Sequence, residues 1–104
     1  MNKKTRGVSW HKKQNRWRVM VEKLDKTVNP TRLRRFYREF VDLDDAIRVR
    51  DFVARLLQGP NAKLNSKEPL PPSITQDDVF TWLLAQNVIS QDEVPRYMNK
   101  CKPA

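Results

Sequence analysis

Residues 6–23 read RGVSWHKKQNRWRVMVEK, and the alternation inside them decides the fold. From Arg16 to Glu22, the side chains of Trp17, Val19 and Val21 fall on one side, and those of Arg16, Arg18, Met20 and Glu22 on the other. A period of two marks a half-buried β-strand, because successive side chains point to opposite faces of a sheet. Arg6 to His11 makes a first strand, with Val8 and Trp10 on one face and Gly7 and Ser9 on the other. The polar run from Lys12 to Asn15 joins the two as a turn, and Asn15 tolerates the positive φ that a hairpin loop needs. One face of this hairpin needs a core. The other is cationic, and a basic, solvated sheet face calls for a polyanionic partner.

Outward from this hairpin, residues 1–5 form a polar, basic arm. Leu24 to Arg32 holds the turn-favouring Asp25, Asn29 and Pro30. Leu33 to Phe40, LRRFYREF, is the third strand: Phe40 and Tyr37 are expected to support the core, and Phe36 and Arg38 to share the outer face with Arg18. A helix follows. Asp42 is its N-cap, Asp44 and Asp45 suit the first turn, and Ala46, Val49, Phe52, Val53, Leu56 and Leu57 recur at helical spacing up to the stop at Gly59-Pro60. Its apolar stripe is expected to cover the Trp17, Val19 and Val21 face. After a proline-rich connector (SKEPLPPS), Thr75 to Asp78 has the pattern of a capping box, with Ile74 placed to staple against Val79. A helix from about Gln76 to Gln86 results, and a third short one is expected near Val94 and Pro95. The fold class is therefore α+β: a three-stranded antiparallel sheet packed on one helix (residues 1–65), a connector (66–73) and a C-terminal helical extension (74–104).

The formal net charge is +9, and its distribution is uneven. Residues 1–38 hold 13 Lys/Arg against two acids, Glu22 and Asp25, whereas residues 39–104 hold 8 Lys/Arg against 10 acids. Such asymmetry points to nucleic acid first and an acidic surface second. Chemistry of other kinds has little to stand on. His11 is the only histidine, Cys101 the only cysteine, and two glycines make no phosphate loop. The adjacent acids at helix starts suit the helix dipole better than acid–base work. We therefore expect no enzyme and no cofactor or metal. With no apolar run of membrane length and no secretory leader, a soluble intracellular protein without a membrane partner is expected, nuclear if the source is eukaryotic.

Arg6-Gly7-Val8, Arg16-Trp17, Phe40 with Asp42 to Ala46, Asp51, and the closing run GPNAKLN (residues 59–65) together resemble the Apetala-two/ethylene-responsive-factor DNA-binding domain over about residues 5–65. The closing run is the most specific part and the opening RGV comes next. The resemblance implies a three-stranded sheet that enters the major groove of double-stranded DNA. By family position, Arg6 matches the opening arginine contact, Ser9 and His11 stand at contact positions, Arg16, Arg18 and Met20 match the second-strand reading positions, and Phe36 or Arg38 the third-strand one. Lys12, Lys13 and Arg35 join them as candidate DNA contacts, and Trp10 either lies against the sugar-phosphate or covers the sheet edge. The chain is a divergent member by this measure. Ser9 and His11 stand where arginine is usual, Met20 where glutamate is common, Phe36-Tyr37-Arg38 replaces Trp-Leu-Gly, and the loop Leu24–Arg32 is longer than usual. The family's preferred DNA sequence is not carried over.

On this reading arginines donate bidentately to guanine, each good pair giving about 1–3 kcal/mol of discrimination. Lysines such as Lys3, Lys4, Lys12, Lys13 and Lys23 neutralise phosphates and set affinity rather than sequence preference. The expected function is that of a DNA-binding domain of a transcription regulator. Three rivals stand beside it: the DNA-targeting domain of a mobile-element endonuclease or integrase, a protein-interaction module working through Phe80, Trp82 and Leu84, and an RNA-binding sheet, against which stands the second strand's lack of aromatic pairs for base stacking. Residues 74–98 are expected either to pack against the domain or to contact a second copy or another protein.

Overall fold

The computed structural model describes residues 7–59, 62–66 and 68–100; the expectations for Arg6, the basic arm, Pro60-Asn61 and Cys101 lie outside these. Strand β2, Arg16–Asp25, is the centre of an antiparallel sheet in the order β1-β2-β3, with β1 spanning Val8–His11 and β3 spanning Arg32–Phe40. The β2–β3 ladder runs further than the alternation alone marks, because Leu24 and Asp25 pair with Leu33 and Arg32. The connecting turn shrinks to residues 26–31 and contains a cis Asn29–Pro30 bond. In the β1–β2 turn Asn15 has φ 51°, the left-handed conformation asparagine accepts at little cost.

Helix α1, Leu43–Gln58, lies on one face of this sheet. Asp42 caps it by accepting from the backbone N–H groups of Asp44 and Asp45, and Gly59 ends it at φ 86°. The apolar stripe does what its spacing predicts: Ala46, Val49, Val53, Leu56 and Leu57 are buried together with Val19 and Val21 of β2.

The register of β3 corrects the sequence expectation. Pairing places Phe36 opposite Val21, Arg38 opposite Val19 and Phe40 opposite Trp17, so all three share the helix side of the sheet. Phe36 is 0% exposed. Tyr37, opposite Met20, is on the outer face instead. A strand's period of two cannot put Tyr37 and Phe40 on one side, and the larger apolar pair, Phe36 with Phe40, took the core.

The C-terminal extension completes that core. Helix α2, Gln76–Ala85, carries the expected capping box between Thr75 and Asp78. A 3-10 turn, Gln91–Glu93, leads into α3, Val94–Asn99, with Pro95 in its first turn. Val79, Phe80, Leu83, Val88, Ile89 and Tyr97 belong to the same buried cluster as the sheet and α1, so residues 74–98 pack against the domain. Trp82 meets Phe40 edge-on at 6.0 Å between centroids, and the Arg38 guanidinium lies 3.8 Å from the Trp82 ring centre. Gln86 accepts from the Tyr37 backbone N–H at 2.9 Å and donates to the Tyr37 carbonyl at 2.7 Å.

Arg34 ties this junction. Its side chain is 1% exposed. Nε donates to Asp25 at 2.9 Å, Nη1 to the Val88 carbonyl at 2.6 Å and to Glu93 Oε1 at 3.0 Å, and Nη2 to Glu93 Oε2 at 2.6 Å. Arg32 donates to the Asn87 carbonyl beside it. These bonds to Arg34, foremost, hold the Glu93 carboxyl down at about 2. The Asp25 carboxyl is also held below its usual range, by the Thr27 hydroxyl and backbone N–H ahead of Arg34. Burial opposes the charge of Arg34, and its bonds to Glu93 and Asp25 outweigh that, so its pKa rises.

Candidate nucleic-acid interface

The outer face of the sheet is built rung by rung. His11 pairs with Arg16 and Ser9 with Arg18 across β1–β2; Arg18 pairs with Glu39, Met20 with Tyr37, Glu22 with Arg35, and Leu24 with Leu33 across β2–β3. Directly opposed residues share a face, so these side chains form one outward surface, while α1 and the extension are packed on the other side. Ser9, His11, Arg16, Arg18, Met20 and Arg35 therefore share this outward face. Lys12 and Lys13 are exposed in the turn at one end.

Glu39 is the hub of this surface. His11 Nδ1 lies 2.7 Å from its Oε2, the Tyr37 hydroxyl donates to the same oxygen at 2.8 Å, and Arg18 Nε lies 4.0 Å away. The bonds from His11 and then Tyr37 lower the Glu39 pKa, and the same carboxylate raises that of Tyr37. An ionised Glu39 only accepts, so His11 donates through Nδ1 and keeps Nε2 for another partner. The Arg18 guanidinium lies 5.6 Å from the Tyr37 ring centre, and its Nε has no hydrogen-bond partner among the described residues. Arg35 is less available, because its Nε donates to Glu22 at 2.6 Å. Arg16, Lys12 and Lys13 have no ion-pair partner among the described residues. The free positive charge therefore gathers at the β1–β2 turn, and the far end of the face, with Leu24 and Leu33, is apolar and neutral.

Three expected contacts lie elsewhere. Phe36 is in the core and Arg38 is stacked on Trp82, both on the helix side. Trp10, 47% exposed, pairs with Trp17 across the ladder and meets its ring edge-on at 4.9 Å, so it covers the helix-side margin of the sheet rather than the outer face. Sequence reasoning missed Tyr37 and Glu39. The signal was available: counting back from Phe40 in steps of two puts Arg38, Phe36 and Arg34 inside and Glu39, Tyr37 and Arg35 outside.

The two halves of the motif that carries the family resemblance meet on α1. Gly7 has φ 67°, and a Cβ there would lie 2.8 Å from the Met20 carbonyl and 2.9 Å from Arg50 Nε. Arg50, buried on α1, donates to the Lys63 carbonyl at 2.6 Å and to Asp51 at 3.0 Å. Asp51 accepts from the backbone N–H of Asn65 at 3.0 Å and of Ser66 at 2.8 Å. Opening glycine, helix and closing asparagine are one connected unit that fixes β1 against β2 and straps the chain after α1. The Met20 N–H donates to the Gly7 carbonyl at 2.9 Å, which extends the ladder one step beyond β1.

Among the described residues no group of three or more His, Cys, Asp or Glu is placed to hold a metal ion, and no helix is long and apolar enough to cross a membrane. The extension's apolar residues are turned inward, Phe80 and Leu83 fully and Trp82 and Leu84 in part. Comparison with known proteins finds no matching family model, no similar curated protein and no similar solved structure, so the likeness rests on the motif residues alone.

Proposed function

We propose that this chain binds double-stranded DNA with sequence preference, as the DNA-contacting part of a transcription regulator acting in the nucleus of a eukaryotic cell. One observation carries the reading: the arginine-bearing face of the sheet is left open, while α1 and the extension both pack on the opposite face. Three strands spaced by about 4.8 Å make a ribbon about 10 Å across its strand axes. The major groove is about 12 Å wide and admits a β-ribbon. Arg18, in the middle of the open face beside Tyr37, is the side chain suited to a base edge, and Arg16 with Lys12 and Lys13 is suited to phosphates. Glu39 holds His11 and Tyr37 in place, so these two meet the groove already oriented.

The reading that makes the extension a partner-capturing module has less support, because Phe80 is buried and Trp82 packs on Phe40 and Arg38.

The test is selection from random duplex DNA at about 0.15 M salt, where purely electrostatic binding is weakened. A short enriched motif is the expected result. A flat pool, with binding that vanishes as salt rises, overturns the reading.

A further inference from the structure

One rung in the charged stretch of the outer face carries two side chains that are neither charged nor committed to the core. Met20 and Tyr37 are direct cross-strand partners, 38% and 37% exposed. Charged rungs flank them on both sides, Arg18 with Glu39 and Glu22 with Arg35. The Tyr37 hydroxyl hydrogen is given to Glu39 at 2.8 Å, so what is left for a ligand is its ring and an oxygen that can only accept. The methionine thioether is flexible and polarizable and adapts to irregular apolar shapes. An apolar rung in the middle of a charged face needs an apolar group in whatever that face meets.

The floor of the major groove offers one such group. Guanine, cytosine and adenine present only donors and acceptors there, whereas thymine adds its C5 methyl. Resting on the reading of this face as the DNA-contacting one, we infer that Met20 and Tyr37 form a thymine-methyl-reading pair, with Arg18 reading a guanine one or two base pairs away. The spacing follows from the geometry: the Arg18 guanidinium is 5.6 Å from the Tyr37 ring centre, between one and two base steps of about 3.4 Å. The target is thus a duplex site in which thymine and guanine are near neighbours.

The experiment uses the full chain and the duplex enriched from a random pool, resynthesised with each thymine in turn replaced by deoxyuridine. That change removes a single methyl and keeps every hydrogen-bonding group. One replacement, within two base pairs of a guanine, is expected to weaken binding by about fourfold, the value of one buried methyl-sized group. Met20→Ala should bind the thymine and uracil duplexes equally, and Met20→Leu should keep the difference. An enriched site without thymine near guanine, no loss at any deoxyuridine, or an undiminished loss in Met20→Ala overturns the inference while DNA binding stands. A pool with no enriched motif overturns the DNA reading and this inference with it.

Discussion

Arg18 and Arg34 sit on the same small sheet and do opposite things. Arg34, on the helix side, is 1% exposed and gives its donors to Asp25, Glu93 and the Val88 carbonyl. Arg18, on the outer side, has its nearest carboxylate 4.0 Å away and a tyrosine ring beside it. The one closes a junction between the sheet and the extension. The other lies on the open face, 35% exposed, with Glu39 and Tyr37 beside it. Residue type and local charge density do not separate these cases; the partners supplied by distant segments do. Three of the 13 Lys/Arg in residues 1–38 are of the first kind, since Arg32, Arg34 and Arg38 all turn to groups in the extension.

The largest effect expected from this contrast is on stability. Arg34→Ala leaves Asp25 and Glu93 without their shared cation at a buried junction and should cost about 3–5 kcal/mol in urea denaturation. Arg18→Ala should change the same measurement by no more than about 0.5 kcal/mol. Equal losses would erase the distinction between the two faces. Binding should reverse the order: Arg18→Ala loses about 1–3 kcal/mol for the selected duplex, measured by titration at fixed salt, and flattens preference at one base pair.

Acid offers a finer probe of the inner side. Glu93 is held at about 2 in the fold against its ordinary 4.5, so its stabilisation is fully present above about 4.5 and is lost as pH falls toward 2. Melting temperature should therefore drop through that window, with Asp25, also lowered, contributing in the same direction. Glu93→Gln should flatten the drop, and a profile as steep as the native one would show that this junction does not govern acid sensitivity. The smallest effect belongs to Arg16→Ala, expected to reduce the slope of log affinity against log salt by about 1 with base preference unchanged.

The sheet, its central strand, the capped helix and the extension's first helix were legible because each rests on local patterning: Trp17, Val19 and Val21 at period two, Asp42 before an apolar stripe, Thr75 with Asp78. The packing of that last helix was open between the domain and a partner. Most of the outer face followed from the same alternation. The third strand did not, for a physical reason. In LRRFYREF the correct phase puts two arginines, Arg34 and Arg38, beside Phe36 and Phe40 on the core side. Nothing within the strand makes that acceptable. It becomes acceptable through Asp25, Glu93 and the Trp82 ring, the last two more than forty residues further along the chain. Tyr37 and Glu39 were missed as face residues with that phase, although counting back from Phe40 places both outside, and pairing with Trp17 shows that the Val8 and Trp10 face is the helix side.

The amide of Gln86 has a consequence for solubility. β3 is a long outer strand, and an open strand border invites a second molecule to add its own backbone. By matching both the N–H and the carbonyl of Tyr37, Gln86 imitates the strand that would otherwise dock there. The opposite border, β1, is only four residues long and offers little purchase. A shortened chain ending before residue 74 would lose this cover together with Val79, Phe80 and Leu83 of the core, and would expose a strand border and apolar surface side by side, a self-adhesive pair.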